Sequence, residues 1–232
     1  MKPAFAVCLP SVRSPGTHGH RLLLPWVTAL ACVLVQSSAS LCEAGTVVRG
    51  RLFVPAPATA SVEAGVTEPI DPSQAVIYVT QPEGQRGKKL KGKRHDEEMG
   101  LLGDRFIPAV IPLGVRSKVR FENRDRVYHN VFSISPARRF DLGKLPPAAV
   151  REVTFDSAGV VQLFCELHPA AAGFIVVCPN RVHARPSASG EYVLPKLPRG
   201  QFIVHAWHPR LGSMRRTIEV TGHGDLTVDL RF

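Results

Sequence analysis

The stretch Val160-Val161-Gln162-Leu163-Phe164-Cys165-Glu166-Leu167-His168-Pro169 decides the class of fold. Its first five residues form a short β-type run, and a second apolar run, 174–178, follows the loop that carries Cys165 and His168. That pattern predicts a hairpin whose connection holds a thiol and an imidazole. Working outward, short strand-like runs recur at 46–54, 75–80, 118–122, 131–135, 151–155, 191–194, 201–207, 216–220 and 226–232, separated by Pro, Gly, Asn and Asp. Little in the mature sequence reads as a long helix. Regular short strands of this kind predict an all-β chain built of sandwiches, not an α/β enzyme.

The strands divide unevenly. Residues 45–80 supply two strands, too few for an independent core, while 190–232 supply four that lack a beginning. Together they predict one sandwich, with a second sandwich inserted at 99–180. The expected boundaries are 1–44 for an export signal, 45–98 for the first strands plus a basic loop, 99–180 for the inserted domain and 181–232 for the remaining strands. The alternative is a central domain flanked by two separate β extensions.

In residues 1–44, Lys2, Arg13 and Arg21 precede an apolar run from Leu22 to Val35, and Ser37, Ser38, Ala39 and Ser40 follow it. Basic, then apolar, then small is the order of a cleaved secretory signal. The run is short for a membrane span and Pro25 interrupts it, so a retained anchor is the weaker reading. The expected location is periplasmic or secreted, without stable membrane insertion after cleavage. Removal of 1–44 leaves 26 of the 29 basic residues and 18 of the 19 acidic ones. Much of the excess sits in the run from Arg86 to Arg94, with Lys88, Lys89, Lys91 and Lys93 among glycines, and reads as a solvated loop. Asp96, Glu97 and Glu98 read as its solvated acidic end. No stacking aromatics accompany the basic residues, so no nucleic-acid partner is expected.

Cys165 and Cys178 remain after cleavage, and two cysteines in an oxidising compartment raise the question of a disulfide. A hairpin placing Cys165 near Gly173 and Cys178 near Val160 separates the sulfurs by roughly 16 Å, at 3.3 Å per residue. A disulfide tolerates less than half of that. Cys178 therefore reads as a small buried hydrophobe, or as a partner for Cys42 if Cys42 survives processing.

The chemistry concentrates in the middle segment. His129 follows the polar turn Asn123-Arg124-Asp125-Arg126 and opens His129-Asn130-Val131-Phe132-Ser133, which enters a strand. A Cys and a His on one short loop, joined by a distant His from another strand, suit copper: a soft thiolate and two imidazoles serve both of its oxidation states. Asn130 is placed to tie the two ligand loops and shield the sulfur. Taken singly, each histidine reads as a satisfied strand-end residue; taken with Cys165, the set reads as a metal site. No paired catalytic carboxylates, nucleophile motif or second His-rich cluster points to an enzyme.

Residues 105–178 resemble the plastocyanin-like cupredoxin family, in particular the bacterial methylamine-utilisation-type cupredoxin-domain proteins. The likeness rests on Phe106-Ile107-Pro108, Val119-Arg120-Phe121-Glu122-Asn123-Arg124-Asp125, the His129 block, Phe140-Asp141-Leu142-Gly143, Phe155 with Gly159-Val160-Val161, and Cys165-Glu166-Leu167-His168-Pro169. It implies a Greek-key β-sandwich with copper on His129, Cys165 and His168. The same resemblance implies a weak axial Met three residues after the second His, where this chain has Ala171; Met99 and Met214 are distant in sequence. A three-coordinate centre, or one with a backbone carbonyl as fourth contact, and a raised potential is therefore expected. Gly190-Glu191-Tyr192-Val193-Leu194, Leu197-Pro198-Arg199-Gly200-Gln201-Phe202 and Ala206-Trp207-His208-Pro209 resemble a carboxypeptidase-regulatory or transthyretin-like module, which implies a scaffold. His183, His205 and His208 read as surface histidines beside a buried Trp207, with metal ligation as the alternative. The expected role is one-electron transfer with a redox protein partner. Copper capture with a copper-donor partner, and a metal-free structural module, remain open.

Overall fold

The computed structural model describes residues 45–55, 69–84, 90, 92, 94–222 and 224–232. The signal segment 1–44 with Cys42, and Lys88, Lys89, Lys91 and Lys93 of the basic run, lie outside the described residues.

The chain opens with β1 (Val48–Phe53) and β2 (Val76–Thr80), the latter preceded by a 3-10 turn at Pro72–Gln74. Then come β3 (Glu97–Leu102), β4 (Arg105–Ile107), β5 (Val110–Gly114), β6 (Ser117–Asn123), β7 (His129–Ser133), β8 (Phe140–Leu145), β9 (Val150–Phe155), β10 (Gly159–Cys165) and β11 (Ala172–Cys178). The last group is β12 (His183–Ala184), β13 (Glu191–Val193), β14 (Gly200–His208), β15 (Gly212–Val220), β16 (Leu226–Thr227) and β17 (Leu230–Arg231). The described chain is thus all-β, as its sequence predicts, and no helix among the described residues is long and apolar enough to cross a membrane.

Among the described residues four sheets form, in the orders β5-β11-β10-β7-β8, β4-β3-β6-β9, β12-β2-β14-β15 and β13-β1-β16, with β17 also on β1. The first two enclose one core, which includes Leu101, Phe106, Val119, Phe121, Phe155 and Leu163. Short loops pass the chain between these sheets at β6–β7, β8–β9 and β9–β10, a Greek-key wiring. The other two sheets enclose a second core, which draws on residues before 80 and after 181, among them Leu52, Ile77, Tyr192, Phe202 and Leu230. A third, small cluster of Val76, Val110, Val176 and Cys178, with Tyr78, Phe174 and Trp207 against it, joins β2 and β14 to β5 and β11. Alternation explains how one strand serves two cores: in β2, Ile77 and Val79 face the second core while Val76 and Tyr78 face the junction.

Several strands escape the sequence pattern for physical reasons. Pro112 argues against a strand at 110–114, yet β5 lies at a sheet edge and pairs only with β11, where a missing N–H is tolerated. Glu97 and Glu98, read as the solvated end of a loop, instead begin β3. Glu98 sits opposite Arg120 in the ladder and forms ion pairs with Arg120 and Arg124. The β10–β11 register is two residues from the expected one: Leu163 pairs with Gly173 and Gly159 with Val177. The shift moves Cys165 and Cys178 still further apart along the hairpin, and both are free and buried.

Candidate metal centre

His129 is the first residue of β7 and Cys165 the last of β10. The antiparallel register sets Cys165 opposite Val131, so His129, two residues along β7, projects from the same inward face beside the thiol. The backbone N–H of Glu166 donates to the carbonyl of Asn130 at 3.1 Å and carries the pairing past the strand end. The loop then turns back. The N–H of Ala171 donates to the carbonyl of His168 at 2.9 Å, which returns the His168 ring toward the sulfur.

The three side chains converge. Cys165 Sγ lies 3.6 Å from His129 Nδ1 and 3.6 Å from His168 Nδ1. All three ligand atoms lie within 4.8 Å of one another, and the two imidazoles stack with centroids 4.3 Å apart. A single ion at ordinary bond lengths, with angles of roughly 120°, sets sulfur and nitrogen about 3.7 Å apart. One thiol proton serves only one of two facing nitrogens, whereas one cation serves both. His129 and Cys165 are buried and His168 is half-buried. The donor set of one thiolate and two imidazoles fits copper.

The surroundings are polar in a directed way. The His129 Nε2 atom faces Oδ2 of Asp125 at 3.3 Å. That carboxyl is held below the ordinary carboxylate range by the backbone N–H groups of Arg126 and Gly103, with a smaller contribution from His129. Asn130 Nδ2 donates to Glu166 Oε2 at 2.8 Å, while its Oδ1 is buried without a partner. On the other side the wall is apolar. Ala171 is buried within the core, and a Cβ added at Gly173 would meet the Phe106 ring at 2.8 Å. As part of a polar turn, Asp125 carries no metal-site signal in the sequence.

The other candidate residues do not join this group. His208 is buried, its Nδ1 accepting from the N–H of Arg210 at 3.1 Å and its Nε2 facing the carbonyl of Asp71 at 3.2 Å. His205 stacks on Tyr78 with centroids 4.7 Å apart and bonds Thr80 Oγ1 at 2.8 Å. His183 stands opposite Tyr78 on the neighbouring strand. The expected arrangement around Trp207 is not found: Phe202, Val204, Ala206 and His208 face the second core, and Trp207, half-buried, lies with His205 on the opposite face, toward the junction with β5 and β11. Met99 is a core residue of β3, and Met214 packs against the second core.

No family model matches this chain, and no curated protein matches it. Among solved structures it is similar to a novel purple cupredoxin from Nitrosopumilus maritimus, with 23% identity, 36% of this chain and 100% of that one covered, and a TM-score of 0.33. It is similar to a reduced amicyanin variant at 19% identity, covering 44% of this chain and 99% of that one, with a TM-score of 0.33. A copper-containing nitrite reductase from Thermus scotoductus aligns at 24% identity and a TM-score of 0.35. That alignment takes in 48% of this chain and 27% of the reductase.

Proposed function

We propose that this chain is an exported copper protein of the cupredoxin kind that carries single electrons through a centre made by His129, Cys165 and His168. The observation that carries the reading is the convergence of two Nδ1 atoms on one buried sulfur, each at 3.6 Å. A thiolate and two imidazoles accept either oxidation state with little rearrangement. Burial of Cys165 and of Ala171 favours retention of the ion over rapid exchange, which ranks electron transfer above capture and delivery. The half-buried His168 is the exit. Leu167, Pro169 and Ala170 are exposed around it and offer a small apolar surface for brief docking of a redox protein. Export rests on the order of residues in 1–44. The sandwich formed by strands before 80 and after 181 serves as the scaffold in which the copper domain is inserted.

The test is an absorption and paramagnetic-resonance spectrum of the mature protein with one equivalent of Cu(II). An intense visible sulfur-to-copper band that disappears in Cys165→Ser supports the reading. No such band, or one indifferent to that substitution, leaves a metal-free structural module.

A further inference from the structure

Asp125 stands outside the donor set and touches it. Its Oδ2 lies 3.3 Å from Nε2 of the fully buried His129, while the same oxygen accepts the N–H of Gly103 at 2.8 Å and Oδ1 accepts that of Arg126 at 2.6 Å. The backbone N–H of Asp125 in turn donates to Asn123 Oδ1 at 2.9 Å. Asn123, also fully buried, uses its Nδ2 on the carbonyls of Val127 at 2.7 Å and Leu145 at 2.9 Å. Leu145 is the register partner of His129. The carboxylate and the imidazole are therefore held by one hydrogen-bonded frame.

A neutral imidazole carries one proton, on either nitrogen. A carboxylate facing Nε2 puts the proton there and leaves Nδ1 with a bare lone pair, and Nδ1 is the atom 3.6 Å from Cys165 Sγ. The opposite tautomer would aim an N–H at the metal position and could not ligate. A carboxylate behind a ligating imidazole also makes it a better donor and favours the more highly charged ion. The geometry points to Asp125 as the positioning residue of the centre: it fixes His129 with Nδ1 free and, with copper bound, lowers the potential that the missing sulfur at 171 raises. This rests on the copper reading above, but its first half concerns the apo protein alone.

A turn residue would also explain the bonds to Gly103 and Arg126, and Asn at 125 would preserve part of that role. The experiment therefore uses both Asp125→Asn and Asp125→Ala. Nitrogen NMR of the imidazoles in the apo protein should show a single His129 tautomer, protonated on Nε2, and Asp125→Ala should lose that preference. With Cu(II) and Cu(I) added separately, Asp125→Asn should weaken Cu(II) at least tenfold more than Cu(I). A tenfold difference is about 59 mV upward for one electron. Asp125→Ala should lose 10- to 100-fold in Cu(II) affinity, the ordinary range for such partners. If Asp125→Ala fails to fold, the Asn variant and the wild-type tautomer decide the matter. Mixed tautomers in the wild type, or variants with wild-type tautomer and potential, overturn the proposal. A wild type that binds no copper overturns the function proposed above, and the apo tautomer then decides the role of Asp125 separately.

Discussion

Asn130 Nδ2 donates to Glu166 Oε2 at 2.8 Å, so the residue after one ligand is tied to the residue after another. The main chain repeats the tie through the N–H of Glu166 and the carbonyl of Asn130. In Asn130→Ala the lost side-chain bond costs about 1 to 3 kcal/mol, but the variant also removes a buried Oδ1 whose lack of a partner costs a similar amount. Apo stability should therefore change by less than about 1 kcal/mol. Copper release should quicken about tenfold as the two ligand loops come apart more easily. Denaturant titration of the apo protein and stopped-flow transfer to a chelator read these separately.

Ala171 stands where the cupredoxin resemblance implies a weak axial sulfur, and it is buried in the core. Ala171→Met should lower the potential of the copper centre, because an added axial donor favours Cu(II). Overpacking should cost about 1 to 3 kcal/mol. Redox titration beside thermal denaturation checks both. A potential that stays put would mean that the new thioether does not reach the metal.

The Trp207 ring lies against Phe174 with centroids 5.3 Å apart, joining a strand of one sandwich to a strand of the other. Trp207→Ala should cost about 2 kcal/mol, below the usual 3–5 kcal/mol for a fully buried large aromatic, since Trp207 is half-buried. The sulfur-to-copper band should be unchanged. Denaturation followed by far-ultraviolet circular dichroism, with the visible spectrum alongside, tests the pair.

His183, His205 and His208 all have pKa values below the ordinary 6.5, first because of burial. Neighbouring His95 and Arg215 add to the effect at His183 and His205; at His208 the contact with Asp71 opposes it and Arg210 adds to it. Their folded-state values are depressed, so the unfolded chain binds more protons just below pH 6.5. The contribution is present above that pH and declines as pH falls through 6.5 toward the lowered values. Asp96 and Asp125, with depressed carboxyl pKa values, add a separate loss that begins only near pH 3.8. The Tm of the apo protein should therefore drop between pH 7 and 5, above the range in which the Asp96 and Asp125 carboxyls titrate. A Tm that is flat over that interval would contradict the assignment.

What was legible in the sequence was what its chemistry marks. Cys165 and His168 share a loop between two apolar runs, and His129 opens a strand, so their types and spacing survive translation into three dimensions. Asp125 was hidden because an acidic residue in a polar turn looks the same whether its carboxylate meets water or an imidazole. Pro112 concealed β5 because a sequence does not show which strand ends up at an edge. The phase of β14 was misread for a related reason. Ile203, His205 and Trp207 on one side and Phe202, Val204 and Ala206 on the other are both largely apolar, because both sides are covered, and alternation then no longer says which side holds the core. The two-residue shift between β10 and β11 came from a ligand loop tighter than assumed, with Ala172 already paired to Phe164.

The parallel ladder between β1 and β17, Leu52 opposite Leu230, has a consequence for biogenesis. Among the described residues, the strands that pair with β1 all lie beyond residue 190, and those that pair with β2 begin at His183. Two early strands therefore emerge from synthesis more than a hundred residues ahead of the strands that pair with them here. During that interval β3 to β11 can close among themselves. Their closure brings Glu97 and Cys178, at either end of the intervening segment, into one folded body and shortens the search that remains. Until the last strands arrive, the exposed edges of β1 and β2 are the part of the nascent chain most open to pairing with a stranger.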